Sequence, residues 1–423
     1  MTEDYLHYIW KFSKFSNTSL ASVNGEAIEI VRKGFHNHNA GPDFLEGQIY
    51  IDGTLWAGSV EIHIKTSHWK QHNHQNDERY NNVVLHVVYE HDKEVYNKNG
   101  DTIPVLELKD KIDEKAYFLY EQFLNKGKLL PCQNSFLTIP SLVLNSCVDA
   151  MLIERLERKS KEVIVTVEKN RGDWEETFHQ FLFKYMGMKV NSLQMSELAE
   201  RLPLQLLNKE SNSLMGSEAL IFGQSGLLEI PIDNEYHKSL RNEYLYLKQK
   251  HSLQSMRAVV WKFSRMRPPN FPTLRMAQLA AIYTATRQLF QIVREKLAVN
   301  QIGLILDVET SDFWKTNYSF TSQKNGLTTG KIGKSTLDAL VINLIVPFSF
   351  AYGRSVGDES YEEYAFDLLN SLKPEKNTIT KKMEAVGFEN ESAKDSQSLI
   401  QLNNEYCMSK KCLNCKIGVY LLQ

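Results

Sequence analysis

The chain has 423 residues, 42% hydrophobic and 24% charged, which at roughly 150 residues per domain gives two or three globular domains and excludes a disordered tail protein. Lys and Arg number 49 against 51 Asp and Glu, a formal charge of −2, but that average hides a division. Residues 1–125 hold 12 basic and 19 acidic side chains, net −7, and nine of the twelve histidines; residues 126–423 carry the remaining +5. Metal ions suit the first part and polyanions the second. The opening MTEDYLHYIWKFSKF lacks the apolar core of a signal peptide. The most apolar later stretch, Leu337 to Phe348, is broken by Asp338 and Asn343 and is too short to cross a bilayer. A soluble cytoplasmic protein with no membrane partner is expected. Five cysteines, an odd number with three crowded into Cys407, Cys412 and Cys415, point to reduced thiols or metal ligation and not to a disulfide framework.

In chain order, residues 3–14 read as a short helix. Strand-period alternation follows near 27–33, 46–51, 54–65, 82–90 and 102–108, punctuated by the hairpin dipeptides Asp52-Gly53 and Asn99-Gly100. Beyond about residue 110 the period becomes helical, with long segments near 140–170, 173–187, 236–265, 272–298 and 335–346. Gly, Pro and Ser between Gly127 and Pro140 interrupt the pattern. The expected class is α+β: a mixed β-sheet domain over residues 1–130, then a mostly α-helical domain over 131–423 that carries the cysteine cluster.

The most informative segment runs from Gly34 to Glu90. Val60, Ile62 and Ile64 alternate with Glu61, His63 and Lys65, so a strand buries the first set and presents an acid, an imidazole and an amine on one face. Asp43, in a Gly-Pro-Asp turn, lies 18 residues before Glu61, with Asp52-Gly53 midway. A two-residue turn puts Asp43 on the opposite face; a three-residue loop, Ile51-Asp52-Gly53, sets it across from Glu61. The second register is expected, with a bulge elsewhere as the other route to the same facing. Converging Asp43 and Glu61 carboxylates would make a hard oxygen site for Mg²⁺ or Mn²⁺, able to activate water and neutralise a phosphodiester transition state, with His63 or Lys65 assisting.

Pro42-Asp43 followed by Glu61-Ile62-His63 resembles the PD-(D/E)XK nuclease pattern, in which Pro-Asp precedes acid-x-Lys on the next strand. His63 stands where that family has Lys, and Lys65 is two residues late on the same face. The resemblance implies a nuclease-like fold and metal-dependent phosphodiester cleavage. Over its whole length, through GPDF, VEIH, RMRPPNFPTLRMAQLA and YCMSKKCLNCKIG, the chain resembles a bacterial family catalogued as domain of unknown function 2851, which implies the two-part organisation and no activity.

Further candidates surround this core. His68 and His72, at helical spacing in SHWKQHNHQND with His74 and Asp77, suggest a transition-metal site or cleft-lining imidazoles. His36 and His38 immediately precede the Pro-Asp turn. Between Glu243 and Glu295 lie 51 residues with no acid and nine Lys or Arg, among them Lys262, Arg265, Arg267 and Arg275, interleaved with aromatics, a pattern suited to a nucleic-acid backbone and unpaired bases. The competing reading has the rings in the core and the cations paired with acids. Cys407, Cys412 and Cys415 favour zinc or an iron–sulfur cluster, with Cys132 as fourth ligand and Cys147 as second choice. GKIGKST fails as a P-loop on spacing. It resembles in outline the helix-hairpin-helix of endonuclease III-like glycosylases, which implies a DNA-binding helical scaffold without their catalytic residues. The function expected is a metal-dependent nuclease or nuclease-derived DNA-binding protein; the alternative is a non-catalytic nucleic-acid or protein-interaction scaffold.

Overall fold

The computed structural model describes residues 1–37, 40–264, 266–324 and 326–422; His38 and Arg265, both singled out above, lie outside them. The fold is α+β, a mixed curled sheet followed by a mostly helical region.

The first compact unit comprises residues 1–147, 385–388 and 402–423. It opens with α1 (Glu3–Phe12), started by the Thr2 hydroxyl accepting from the Tyr5 amide and stopped by left-handed Ser13. The helix buries Tyr5, Leu6, Tyr8, Ile9 and Trp10. The sheet strands are β1 (Ile28–Arg32), β2 (Phe35–His36), β3 (Phe44–Ile51), β4 (Thr54–Lys65), β5 (Val83–Glu90) and β6 (Val105–Glu107), with β2 on the end of β3 and the others in the order β1-β3-β4-β5-β6. The pairs β1–β3 and β3–β4 are antiparallel, whereas β4–β5 and β5–β6 are parallel. Parallel pairing needs a crossover, and the connection from Lys65 to Val83 contains α2 (His68–Gln71) and two short 3-10 turns. Gly58 sits where β4 meets this crossover; a Cβ there would stand 2.5 Å from the Asn82 carbonyl.

The two sheet faces have different contents. Val60, Ile62, Leu85 and Val87 join the α1 residues and Tyr120, from α3 (Glu114–Lys126), in one apolar cluster. The alternate positions Glu61, His63 and His86 are buried yet polar, beside a smaller cluster of Trp69, Tyr80, Val88, Val95, Ile103 and Val105.

Register at the hairpin differs from the preferred expectation. Ile51 pairs with Thr54 across a two-residue turn, with φ of +50° at Asp52 and +78° at Gly53, as the right-handed strand twist favours. The pairing then slips between Gly47↔Gly58 and Phe44↔Val60, where Glu46 adopts φ +59°. A bulge absorbs one residue, and Asp43 reaches Glu61 by the second of the two routes.

Residues 148–384 and 389–401 form the second unit, whose described residues are mostly helical, with a short hairpin of Asn317–Ser319 and Ser322–Gln323. The division falls inside the helix Ser141–Lys169, not at Gly127–Pro140, and residues 402–423, expected in the helical domain, belong to the first unit. The reason is packing: Leu413 enters the α1 cluster, and the Tyr8 hydroxyl donates to the Leu422 carbonyl at 3.0 Å. The helix expected over 236–265 stops at left-handed Ser252, and the one expected over 272–298 stops at Ala285. Conversely, helix runs without a break over Lys334–Val356, the one stretch among the described residues long and apolar enough to cross a membrane. It passes Asn343 and Pro347 through a π-helical turn at Val341–Ile345, which is why it exceeds the expected length. Of its apolar window 72% is buried, which fits the core helix of a soluble protein.

Candidate metal centre

The reciprocal placement of Asp43 and Glu61 is made by backbone amides. The Asp43 amide donates to Glu61 Oε2 at 3.1 Å, and the Ile62 amide donates to Asp43 Oδ2 at 2.9 Å. The same Oδ2 lies 3.2 Å from Nε2 of His7, on α1. Burial pulls His7 toward the neutral form, but the hydrogen bond and charge of Asp43 outweigh it and raise its pKa.

Glu61 Oε1 faces imidazoles. His63 Nε2 stands 3.5 Å away and His74 Nε2 3.2 Å away, while His63 Nε2 lies 3.0 Å from His72 Nδ1. The ligand atoms of His63, His72 and His74 all lie within 4.8 Å of one another. Nitrogen ligands at 2.0–2.1 Å from a tetrahedral ion are about 3.3 Å apart. The separations of 3.0, 3.2 and 3.5 Å lie near that value, and the three imidazoles alone form the set whose ligand atoms all lie within 4.8 Å of one another. The buried His74 Nε2 also has no hydrogen-bond partner among the described residues.

The chain delivers these side chains by local means. His63 alternates with Ile62 on β4, and left-handed Asn73 (φ +63°) turns the backbone between His72 and His74. His74 stacks on Tyr80 with ring centroids 3.8 Å apart. Asp92 secures the start of the connection, accepting from the Thr66 hydroxyl at 2.8 Å, the Ser67 amide at 2.8 Å and the Ser67 hydroxyl at 2.7 Å. Behind the cluster, His63 Nδ1 is 2.9 Å from Nε2 of fully buried His86. That contact fixes the His63 ring, as outer partners of metal-bound histidines do.

Burial dominates the electrostatics of the cluster. Burial first, and the nearby Asp43 second, push the Glu61 carboxyl up to about 9. Burial, reinforced by His86, His74 and His72, drives His63 far below the usual histidine range, and His86 falls to about 3 mainly through burial. His63, His74 and His86 are thus held toward the neutral form, beside a Glu61 carboxyl held toward the protonated one. Nitrogen-rich donors favour first-row transition ions over Mg²⁺.

Several expected participants lie elsewhere. Lys65 Nζ is 3.6 Å from Glu90 Oε2, in an exposed pair shared with Lys109. His68 turns to Glu3 at 3.5 Å, and Asp77 pairs with Arg79. In the second unit Lys262 and Arg267 are exposed. Arg275 is buried, donating to Gln278, Asn270 and Thr336, so it offers no charge to a polyanion. Lys248, Lys250 and Arg294 pair with Glu229, Glu210 and Glu175 of the same unit. Cys132, Cys407, Cys412 and Cys415 line one cavity of the first unit that contains none of these imidazoles.

His7 and His86 escaped the sequence reading. His86 had a signal: it is the one polar residue inside the apolar run VVLHVV. No curated protein and no solved structure matches the chain. A family model matches residues 3–378, and the chain belongs to the family described as "Protein of unknown function (DUF2851)".

Proposed function

We propose that the first unit is a metal-dependent phosphodiesterase of the nuclease type, with Glu61, His63, His72 and His74 holding a divalent transition ion such as Mn²⁺ or Zn²⁺. The observation that carries the reading is the set of 3.0, 3.2 and 3.5 Å separations among their donor atoms. Such an ion supplies an activated water and a Lewis acid for a phosphoryl oxygen. Asp43 orients His7 and raises its basicity, so the pair accepts the proton of the attacking water. Phosphodiesters are favoured as substrate by two supports: the spacing from Pro42-Asp43 to Glu61-x-His63, and the antiparallel hairpin followed by a parallel strand on which those residues sit. His63 takes the place of a lysine as a ligand, so the nuclease-like pattern survives with a nitrogen-rich metal shell. Exposed Lys262 and Arg267 serve nucleic-acid binding in the helical unit. Five reduced cysteines suit a cytoplasmic setting.

The test is hydrolysis of single- and double-stranded DNA, RNA and bis(p-nitrophenyl) phosphate with Mn²⁺, Zn²⁺ or Mg²⁺. Glu61→Gln and His63→Ala should lower kcat at least a hundredfold, and His251→Ala, in the helical unit, should leave it unchanged. Turnover equal in wild type and Glu61→Gln would leave the non-catalytic scaffold as the better account.

A further inference from the structure

The chain has five cysteines, separated by up to 283 positions of sequence, and all five meet in one place in the first unit. Cys132, Cys407, Cys412 and Cys415 line a single cavity whose other walls are mostly apolar, Leu130 and Phe388 among them, with Lys411 at one side. Cys147, fully buried, sits behind Cys415 with the two sulfurs 4.0 Å apart. None is in a disulfide. Cysteine packs readily as a small hydrophobe, but packing alone gives no reason for every cysteine of a 423-residue chain to converge from three remote segments.

We infer that this cavity holds an iron–sulfur cluster, with Cys132, Cys407, Cys412 and Cys415 as its ligands and Cys147 as a positioning residue. Two observations separate a cluster from a zinc ion. A tetrahedral zinc with Zn–S of 2.3 Å holds its sulfurs about 3.8 Å apart, whereas among the described residues no three cysteine sulfurs lie within 4.8 Å of one another. A cluster places several irons and sulfides between its terminal thiolates and so needs them spread around a wall. The wall is also apolar, which shields a cluster from water, and Lys411 lines it as a counter-charge for the anionic assembly.

Cys415 is prepared for ligation. The Gly418 and Ile417 amides direct hydrogen bonds to its sulfur, and the Cys147 sulfur lies 4.0 Å away. With Cys415 ligating as a thiolate, the Cys147 S–H is the donor of that pair. A hydrogen bond to a ligating sulfur stabilises the reduced, more negative cluster and raises its potential.

Full-length protein purified anaerobically and reconstituted with Fe²⁺ and sulfide is the test. A brown protein with about four irons and four sulfides per chain is expected, as for a Cys₄-ligated [4Fe–4S] centre. Cys132→Ser and Cys412→Ser should each lose more than half of the iron, and Cys147→Ala should keep it while lowering the reduction potential. Glu61→Gln should keep it too, which separates this site from the histidine centre. Limited proteolysis of the wild type before and after cluster removal covers the case of a variant that does not fold: removal should expose residues 402–422 to cleavage at least tenfold faster. One zinc per chain without sulfide, or a colourless folded protein after reconstitution, would overturn the inference.

Discussion

Asp43 and Glu61 hold each other's strand, since each carboxylate accepts a backbone amide from the other's segment, at 2.9 Å and 3.1 Å. The pair is therefore architectural as well as chemical. Asp43→Ala should destabilise the first unit by about 1–3 kcal/mol, the penalty for leaving the Ile62 amide without its acceptor. The variant should also bind Mn²⁺ or Zn²⁺ several-fold more weakly. Denaturant titration and calorimetric metal titration of the same preparations measure both.

Metal binding should release a proton. With Glu61 raised to about 9, the metal-free site carries its carboxyl proton at neutral pH, and only the ionised form ligates. Below about pH 9, affinity should rise by up to tenfold per pH unit, because one proton leaves for each ion bound. The depressed histidines are already neutral and add no further proton. Metal titrations at pH 6, 7 and 8, in buffers of different ionisation enthalpy, count it; a pH-independent affinity would contradict the assignment of Glu61.

Glu46→Gly should stabilise the protein. Glu46 sits at φ +59° in the bulge, where a residue with a Cβ is strained and glycine is not, so the gain should be about 0.5–1 kcal/mol. Deleting Glu46 should do the opposite to function. The hairpin would keep the register of its turn to the end of the strand, Asp43 would move to the other sheet face, and metal binding should fall at least tenfold. Thermal unfolding and metal titration distinguish the two variants.

The helical unit has its own pH signature. Burial raises Glu218 to about 7, against the pull of hydrogen bonds from Tyr236 and Ser311. Its folded pKa exceeds its unfolded one, so the folded state binds the proton more tightly. The resulting stabilisation is complete below about pH 4.5 and is lost as pH rises toward 7, at no more than about 1.4 kcal/mol per pH unit. Glu218→Gln should remove that slope, measurable as urea midpoints between pH 5 and 8.

How much of this was legible follows from what each signal depends on. Strand alternation around Glu61 and the Asp52-Gly53 turn are local properties, and β4 and its hairpin followed from them. The bulge at Glu46 was visible only as one of two ways to satisfy a facing requirement, because a left-handed glutamate has no sequence signature. The basic stretch after Glu243 was visible as composition. Its partners, Glu229, Glu210 and Glu175, were not, since they lie 19 to 119 positions away in sequence. The same limit explains the donors. Spacing paired His68 with His72 on a helical face, whereas α2 ends after a single turn and left-handed Asn73 hands the role to His74. His7 reaches Asp43 from a different element altogether, which no periodicity reports.

The return of residues 402–422 to the first unit has a consequence for how the protein is made. The sheet and its histidine cluster emerge early from the ribosome, but Leu413, the Leu422 carbonyl that accepts from Tyr8, and three of the five cysteines arrive only after the helical unit. The helical unit, residues 148–384 and 389–401, is complete before the unit that precedes it. Synthesis thus runs through a stage in which the amino-terminal core waits, partly uncovered, for residues 402–422. A cluster that joins Cys132 to Cys407–Cys415 would turn that late docking step into a lock, set only after the helical unit has been made.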